Sequence, residues 1–377
     1  MLIAMQAHGR LRSIDGLRAV MCIGVALYHF VPYFFKPGDA SYEVSRYFSY
    51  FTDIFAILAG IFSGKYIRER WSFSAYGGFL CSRLSRIYPL HIVTGGFYIA
   101  VLIAISAGLF SPQDQSRYDP SAIIPHLTLM HAWGIGPDMA LNYPSWMISA
   151  IFACYLAMPI VGKLYQTSKW LVPAVVIAAI ALCSYVSSLS GVEVTRAQFV
   201  GIGVLRVFPS FMFGIVLGNM EKIPAHRSVP IIMLLVSLVA AFGLGMPLTG
   251  AIRLIVLYVM VYSIFVADKL SIRTPLNIGL LQYLSRYSFG VYLWHGVVAT
   301  VLFRVLLKPV LGNDSLVIGS QAPVYAIMLL FLGLVLSFGI AFVSLKTVER
   351  WGSRAFDALF DRRAALSRPE PRITPLS

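Results

Sequence analysis

Ile14-Asp15-Gly16-Leu17-Arg18-Ala19-Val20-Met21-Cys22-Ile23-Gly24-Val25-Ala26-Leu27-Tyr28-His29-Phe30 is an apolar stretch of membrane-spanning length that nevertheless keeps an arginine near one end and a histidine near the other. Ionisable groups are expensive in hydrocarbon, so a membrane helix that retains two of them points to a functional site. The interval from Arg18 to His29 is roughly three helical turns and a rise of roughly 16 Å, which puts both side chains on nearly the same face at different depths.

Composition agrees with a membrane setting. Of the 377 residues, 58% are hydrophobic and 12% charged, and the mean hydropathy is +0.77, values outside the range of soluble globular chains. Apolar stretches recur along the whole length without a long polar block, which excludes a soluble domain on a single anchor. The pattern predicts an all-α, polytopic integral membrane protein with about ten transmembrane helices. Their expected positions are near 17–35, 46–64, 88–110, 144–163, 170–190, 198–218, 228–246, 250–267, 287–307 and 321–345. Residues 1–350 are expected to form the membrane domain and 351–377 a short basic cytoplasmic tail.

Alternate loops differ in charge. One set carries Arg10, Arg12, Lys65, Arg68, Arg70, Arg83, Arg86, Lys163, Lys169, Lys222, Arg227, Lys269, Arg273, Arg286 and the basic residues after Lys346. The other carries chiefly Lys36, Arg46, Arg117, Arg196, Arg253 and Lys308. The positive-inside bias places the first set and both termini in the cytoplasm. The net charge of +14 flanks spans rather than forming an aromatic-interleaved stripe, so nucleic acid is not an expected partner and membrane lipid is. No cleavable leader is expected ahead of the first span. The four cysteines, Cys22, Cys81, Cys154 and Cys183, lack ligand-like spacing, so neither a disulfide nor a metal site is expected.

Three further places carry candidate chemistry. Arg83 and Arg86, in Leu80-Cys81-Ser82-Arg83-Leu84-Ser85-Arg86-Ile87-Tyr88-Pro89, share a helix face at the membrane surface that also holds Arg18. Guanidinium groups there suit a phosphate-bearing ligand, although ordinary positive-inside anchoring explains them as well. Asp53 lies at about the same depth as His29 in the antiparallel second span, and a carboxylate in that position is expected to fix the His29 tautomer, as in hydrolase triads. Tyr292 and His295 share a helix face and are candidates to line the same cavity, although packing accounts for them equally. With an ordinary pKa near 6.5, His29 suits a general base or an acyl acceptor.

Together, Ser13-Ile14-Asp15-Gly16-Leu17-Arg18-Ala19 with His29, Arg83-Leu84-Ser85-Arg86, the Tyr287–His295 segment and Val348-Glu349-Arg350 resemble the acyltransferase family 3 of membrane proteins, over almost the whole chain. The resemblance implies a ten-helix enzyme of a bacterial cytoplasmic (inner) membrane. It would take an acyl group, usually acetyl, from cytosolic acyl-coenzyme A and place it on a carbohydrate hydroxyl, with no bound cofactor. Implied acceptors are lipopolysaccharide O-antigen, exopolysaccharide or other surface glycans, lipid-linked ones included. By the same analogy His29 is catalytic and Arg18, Arg83 and Arg86 bind the donor, while Asp15, Trp146, Ser149, Tyr292 and His295 are candidate lining residues. Two positions depart from the family pattern: Ile151 stands where a glutamate is expected and Ala59 where a serine is expected. Many relatives carry an additional soluble hydrolase-like domain, so the reading includes a separate acyl-accepting partner protein as one arrangement. A flippase for lipid-linked saccharides and a catalytically degenerate family member are the competing readings.

Overall fold

A computed structural model describes residues 11–109, 115–137, 140–191, 194, 203–221, 226, 228–240, 250–307, 319 and 321–366. Every regular element among them is helical. The principal helices are α1 (Arg12–Phe30), α2 (Ala40–Tyr47), α3 (Phe51–Ser63), α4 (Phe73–Ser106), α5 (Ile123–Leu127), α6 (Trp146–Leu156), α7 (Met158–Thr167), α8 (Leu171–Ser190), α9 (Gly203–Gly218), α10 (Ser228–Leu238), α11 (Gly250–Lys269), α12 (Gly279–Leu284), α13 (Ser288–Val298), α14 (Pro323–Ser344) and α15 (Arg350–Leu366).

Among the described residues, seven helical stretches are long and apolar enough to cross a membrane: Arg12–Tyr33, Ala40–Arg68, Phe73–Ser106, Leu171–Ser190, Gly250–Lys269, Gly279–Leu307 and Pro323–Leu359. An eighth arises if Tyr143–Leu156 and Met158–Thr167, bent by 48°, count as one span. The bend falls where Pro159 enters the first turn of α7, a residue that cannot donate to the preceding turn. The other two expected spans correspond to the shorter apolar helices α9 and α10. Parts of their expected extents, 198–202 and 241–246, lie outside the described residues, as do Arg10, Arg196, Lys222, Arg227, Lys308 and the tail after 366. Helix continues through residue 350, and Gly352 packs so closely on Pro89 of α4 that an added Cβ would lie 2.3 Å from the proline ring.

Two local features fix the first helix. Leu11 offers α1 no side-chain cap, and the Asp268 carboxylate at the end of α11 accepts hydrogen bonds from Ser13 N (2.8 Å) and Ile14 N (3.0 Å) instead. A carboxylate at a helix N-terminus satisfies donors that have no intrahelical partner. Gly16 lies against the Leu276 carbonyl, where a Cβ would come within 2.0 Å.

The tightest crossing joins α3 and α9. Gly60 and Gly64 face Gly214 and Gly218, each pair four residues apart, and a Cβ on Gly214 would sit 2.0 Å from the Ile57 carbonyl oxygen. Small residues at this spacing let membrane helices approach backbone to backbone. α1, α3, α6, α9, α11 and α13 contribute most of the main apolar core. α8, α10 and α14 turn Ile177, Leu189, Ile231, Val236, Phe331 and Val335 outward, as helices facing lipid do.

Candidate functional site

His29 occupies the last turn of α1 and is half-buried. Its Nδ1 lies 3.0 Å from the Tyr143 hydroxyl, and its ring stacks on His295 with centroids 5.1 Å apart. Tyr28 and Tyr143 close its flanks edge-on, at 4.9 and 5.3 Å.

Tyr143 is held by a short, over-determined segment. Leu141, a bulky residue in the left-handed region at φ 51°, turns the chain, and its N–H donates to Arg117 O at 2.8 Å. Tyr143–Ser145 then forms one 3-10 turn, with Ser145 Oγ donating to Asn142 O at 2.7 Å. From below, the Tyr292 hydroxyl donates to Pro144 O. Tyr292 and His295 therefore form the floor under His29 and Tyr143, with His295 Nδ1 on Val291 O at 3.2 Å.

A cavity of about 300 Å³ opens beside His29, lined by Tyr28, His29, Pro32, Tyr33, Tyr42, Ser45, Arg46, Arg117, Tyr143 and Arg304. Asp15, Trp146, Ser149, Tyr292 and His295 are not part of its wall. Asp15 instead pairs with Arg18 at 3.6 Å. Ser149 Oγ accepts from Ala132 N and donates to Leu129 O, which pins the preceding loop.

Asp53 is not the partner of His29. Its carboxylate forms an ion pair with Arg206 of α9 at 2.9 Å, both side chains having 0% exposure. Arg206 also donates to Ser49 O (3.0 Å) and Thr52 Oγ1 (3.1 Å) and lies 5.0 Å from the Trp146 ring. Ser210 Oγ reaches Asp53 at 3.5 Å and Tyr258 Oη at 3.0 Å. Trp146 thus caps a buried network tying α3 to α9 and α11. Equal depth in two helices leaves their rotation about their own axes open, and α3 turns Asp53 toward α9.

At the other end of α1, Arg18 donates to Ser288 Oγ at 3.1 Å, and Arg86, exposed on α4, is near enough to act on Arg18 electrostatically. Arg83 is turned differently. Its guanidinium lies within 5.2–5.6 Å of the Tyr66, Phe79 and Tyr155 rings and donates to Phe62 O. The two arginines that share a helix face therefore differ: Arg86 is exposed, and Arg83 packs among aromatic rings.

A family model described as "Acyltransferase domain", number 3 of its series, matches residues 11–343. The chain belongs to this family. A curated relative, "Acyltransferase MdmB" of Streptomyces mycarofaciens, is 26% identical over 321 residues, covering 79% of this chain and 81% of the relative. No solved structure matches the chain significantly. Family membership and the apolar helices together describe a multi-pass membrane acyltransferase. Ile151, where the resemblance leads to an expected glutamate, is 8% exposed and packs into the main apolar core, and Ala59 packs against the same core.

Sequence reasoning missed Tyr143 and Arg206. Tyr143 sits in a loop where tyrosine is unremarkable, and Arg206 is a lone charge inside an apolar helix. The rule that buried charges in membranes carry meaning would have flagged Arg206.

Proposed function

We propose that this protein is an O-acyltransferase of a bacterial cytoplasmic membrane that moves an acyl group, acetyl in the first instance, from acyl-coenzyme A to a hydroxyl of a glycan. The observation that carries this reading is His29, anchored through Nδ1 by Tyr143 and placed on the wall of a cavity, in a chain of acyltransferase family membership. With both termini in the cytoplasm, as the loop charges suggest, Arg18 and Arg86 meet the phosphates of a cytosolic donor. The thioester then extends along α1 toward His29, a rise of roughly 16 Å.

In the transfer itself, Nδ1–H donating to the Tyr143 oxygen leaves the Nε2 lone pair as the base. That nitrogen takes the proton of the acceptor hydroxyl as its oxygen attacks the thioester carbonyl. An ester C–O bond forms, the C–S bond breaks, and the departing thiolate collects the proton from His29 to give free coenzyme A. The His295 ring stacked on His29 limits water at the reacting nitrogen.

The test uses membranes with matched amounts of inserted wild type and His29→Ala, supplied with acetyl-labelled acetyl-coenzyme A and a crude glycan fraction. Label in the glycan with wild type alone supports the reading. Equal label with both variants removes His29 from the chemistry, and donor-independent movement of an intact lipid-linked saccharide replaces the reading with a transporter.

A further inference from the structure

α14 presents a lipid-facing stripe that changes character within one turn. Phe331, Val335, Gly339 and Phe342 follow one another at intervals of three or four residues, so they lie along one side of the helix. All four are exposed, and a Cβ on Gly339 would meet nothing within 4 Å. Lys346, Arg350 and Arg354 continue the stripe at intervals of four and are exposed as well. The Lys346 ammonium lies 3.9 Å from the centroid of the Phe342 ring, which joins the apolar part of the stripe to the cationic part.

Length sets the depth of the change. Helix continues from Pro323 to Leu359, 37 residues. At the helical rise that is roughly 55 Å, whereas the hydrocarbon core is roughly 30 Å thick and is crossed by about 20 residues. Counted from Pro323, those residues end near Phe342, and the cations begin one turn later. Trp351, exposed beside Arg350, is of the residue type that seats at the boundary of tails and headgroups. The three cations therefore stand at headgroup depth, on the side that the loop charges assign to the cytoplasm.

The protein leaves these cations available. Among the described residues no carboxylate pairs with Lys346, Arg350 or Arg354. Glu349, next to Arg350, turns away: it accepts from Ser344 Oγ at 3.4 Å and lies against Gly290 of α13. Gly352, which packs on Pro89 of α4, is two residues from both Arg350 and Arg354 and so on nearly the opposite side of α15. The stripe thus faces away from α4, which bears Arg86. Positive-inside anchoring asks for basic residues near the end of a span in any arrangement. Here they stand in register with the face that meets lipid tails.

We propose that Lys346, Arg350 and Arg354 form a binding site for anionic phospholipid, the cations holding headgroup phosphate while acyl chains lie along Phe331, Val335 and Phe342. The stripe of cations is roughly 12 Å long, the scale of a headgroup rather than of a single ion. Bound lipid fixes the height of α14 in the membrane and holds α15 at its surface. The site is separate from the transfer chemistry and stands whether or not that reading does.

The test equilibrates purified protein in mixed micelles with equal amounts of phosphatidylglycerol and phosphatidylcholine of the same acyl chains, and counts retained lipid by native mass spectrometry. Wild type is expected to retain phosphatidylglycerol over phosphatidylcholine by about tenfold or more, and less so at high salt. Arg350→Gln and Arg354→Gln are each expected to lose about fivefold of that preference, the scale of one basic residue at an anionic membrane surface. Arg350→Lys and Arg354→Lys keep the charge and are expected to keep most of it. Arg273→Gln removes an exposed cation from another loop of the same basic set and is expected to leave the preference unchanged. Equal retention of the two lipids overturns the inference, as does a preference that survives Arg350→Gln and Arg354→Gln combined. Equal losses from Arg273→Gln and Arg350→Gln overturn it too, by making the preference a property of the whole basic face. Displacement of phosphatidylglycerol by coenzyme A overturns it in favour of a donor-binding surface.

Discussion

The ion pair between Asp53 and Arg206 makes a sharp prediction, because the same carboxylate was a candidate for orienting His29. Both side chains are fully buried, the charged atoms are 2.9 Å apart, and Arg206 has further bonds to Ser49 and Thr52. Asp53→Asn leaves a guanidinium in the core facing neutral oxygens, and Arg206→Met leaves a carboxylate there without its cation. Each single change is expected to cost about 3–5 kcal/mol. The double variant removes both charges and is expected to cost about 1–2 kcal/mol, since apolar replacement of a buried pair is often nearly neutral. The coupling is then about 4 kcal/mol or more, on the order of a thousandfold in the unfolding equilibrium constant. Reversible unfolding of the four proteins in mixed micelles measures it, and labelled acetyl transfer by the folded fraction is read in parallel. A purely structural pair predicts a double variant that transfers acetyl within about tenfold of wild type. A well-folded double variant as inactive as His29→Ala refutes that reasoning and returns Asp53 to the chemistry. Additive single effects refute the energetic part.

Other expectations follow from single contacts. Tyr143→Phe removes the hydroxyl that anchors His29 Nδ1, so kcat is expected to fall about tenfold with little change in thermal stability; unchanged turnover would remove Tyr143 from the site. Gly214→Ala drives a Cβ toward the Ile57 carbonyl, whereas Gly339→Ala, with nothing within 4 Å, meets open space. Unfolding in detergent should show the first destabilised by about 1–3 kcal/mol and the second unaffected. In the loop ahead of Tyr143, His126 and His131 stack at 3.9 Å with His91 alongside at 6.2 and 5.7 Å. Burial, reinforced by the neighbouring His91, pushes His126 down to about 4, and burial together with the other two histidines holds His131 well below its ordinary value. The unfolded chain therefore binds more protons in acid, so the loop's stability is complete above about pH 6.5 and declines as pH falls toward about 4. Thermal melts across that range should show the decline, and His126→Gln should flatten it.

The helical framework was legible because lipid makes a simple demand: runs of apolar residues must satisfy their backbones internally. Each expected span corresponds to a helix among the described residues, α9 and α10 being described over 16 and 11 residues of theirs. The break between α6 and α7 was written in Pro159, within a stretch that otherwise reads as one span. The α3–α9 crossing was also written, in Gly60, Gly64, Gly214 and Gly218, but glycines name their partners only after the helices are set side by side.

For the site, the residues on one helix were legible and the pairings between helices were not. Arg18 and His29 could be related by helical geometry alone, and Tyr292 with His295 likewise. Asp53 was compared with His29 by depth, a coordinate that two antiparallel spans share with many residues, whereas a hydrogen bond also needs the right rotation of each helix. Arg46 and Arg117 were visible only as cations on the side where few are expected, and Arg304 lay unremarked inside the expected span 287–307. Arg18 near the start of α1 and His29 in its last turn put a cation and a basic nitrogen at opposite ends of one helix. On the proposed reaction that arrangement solves a geometric problem. The donor's phosphates stay at the Arg18 end of α1, so only the neutral thioester and a hydroxyl need come together at His29.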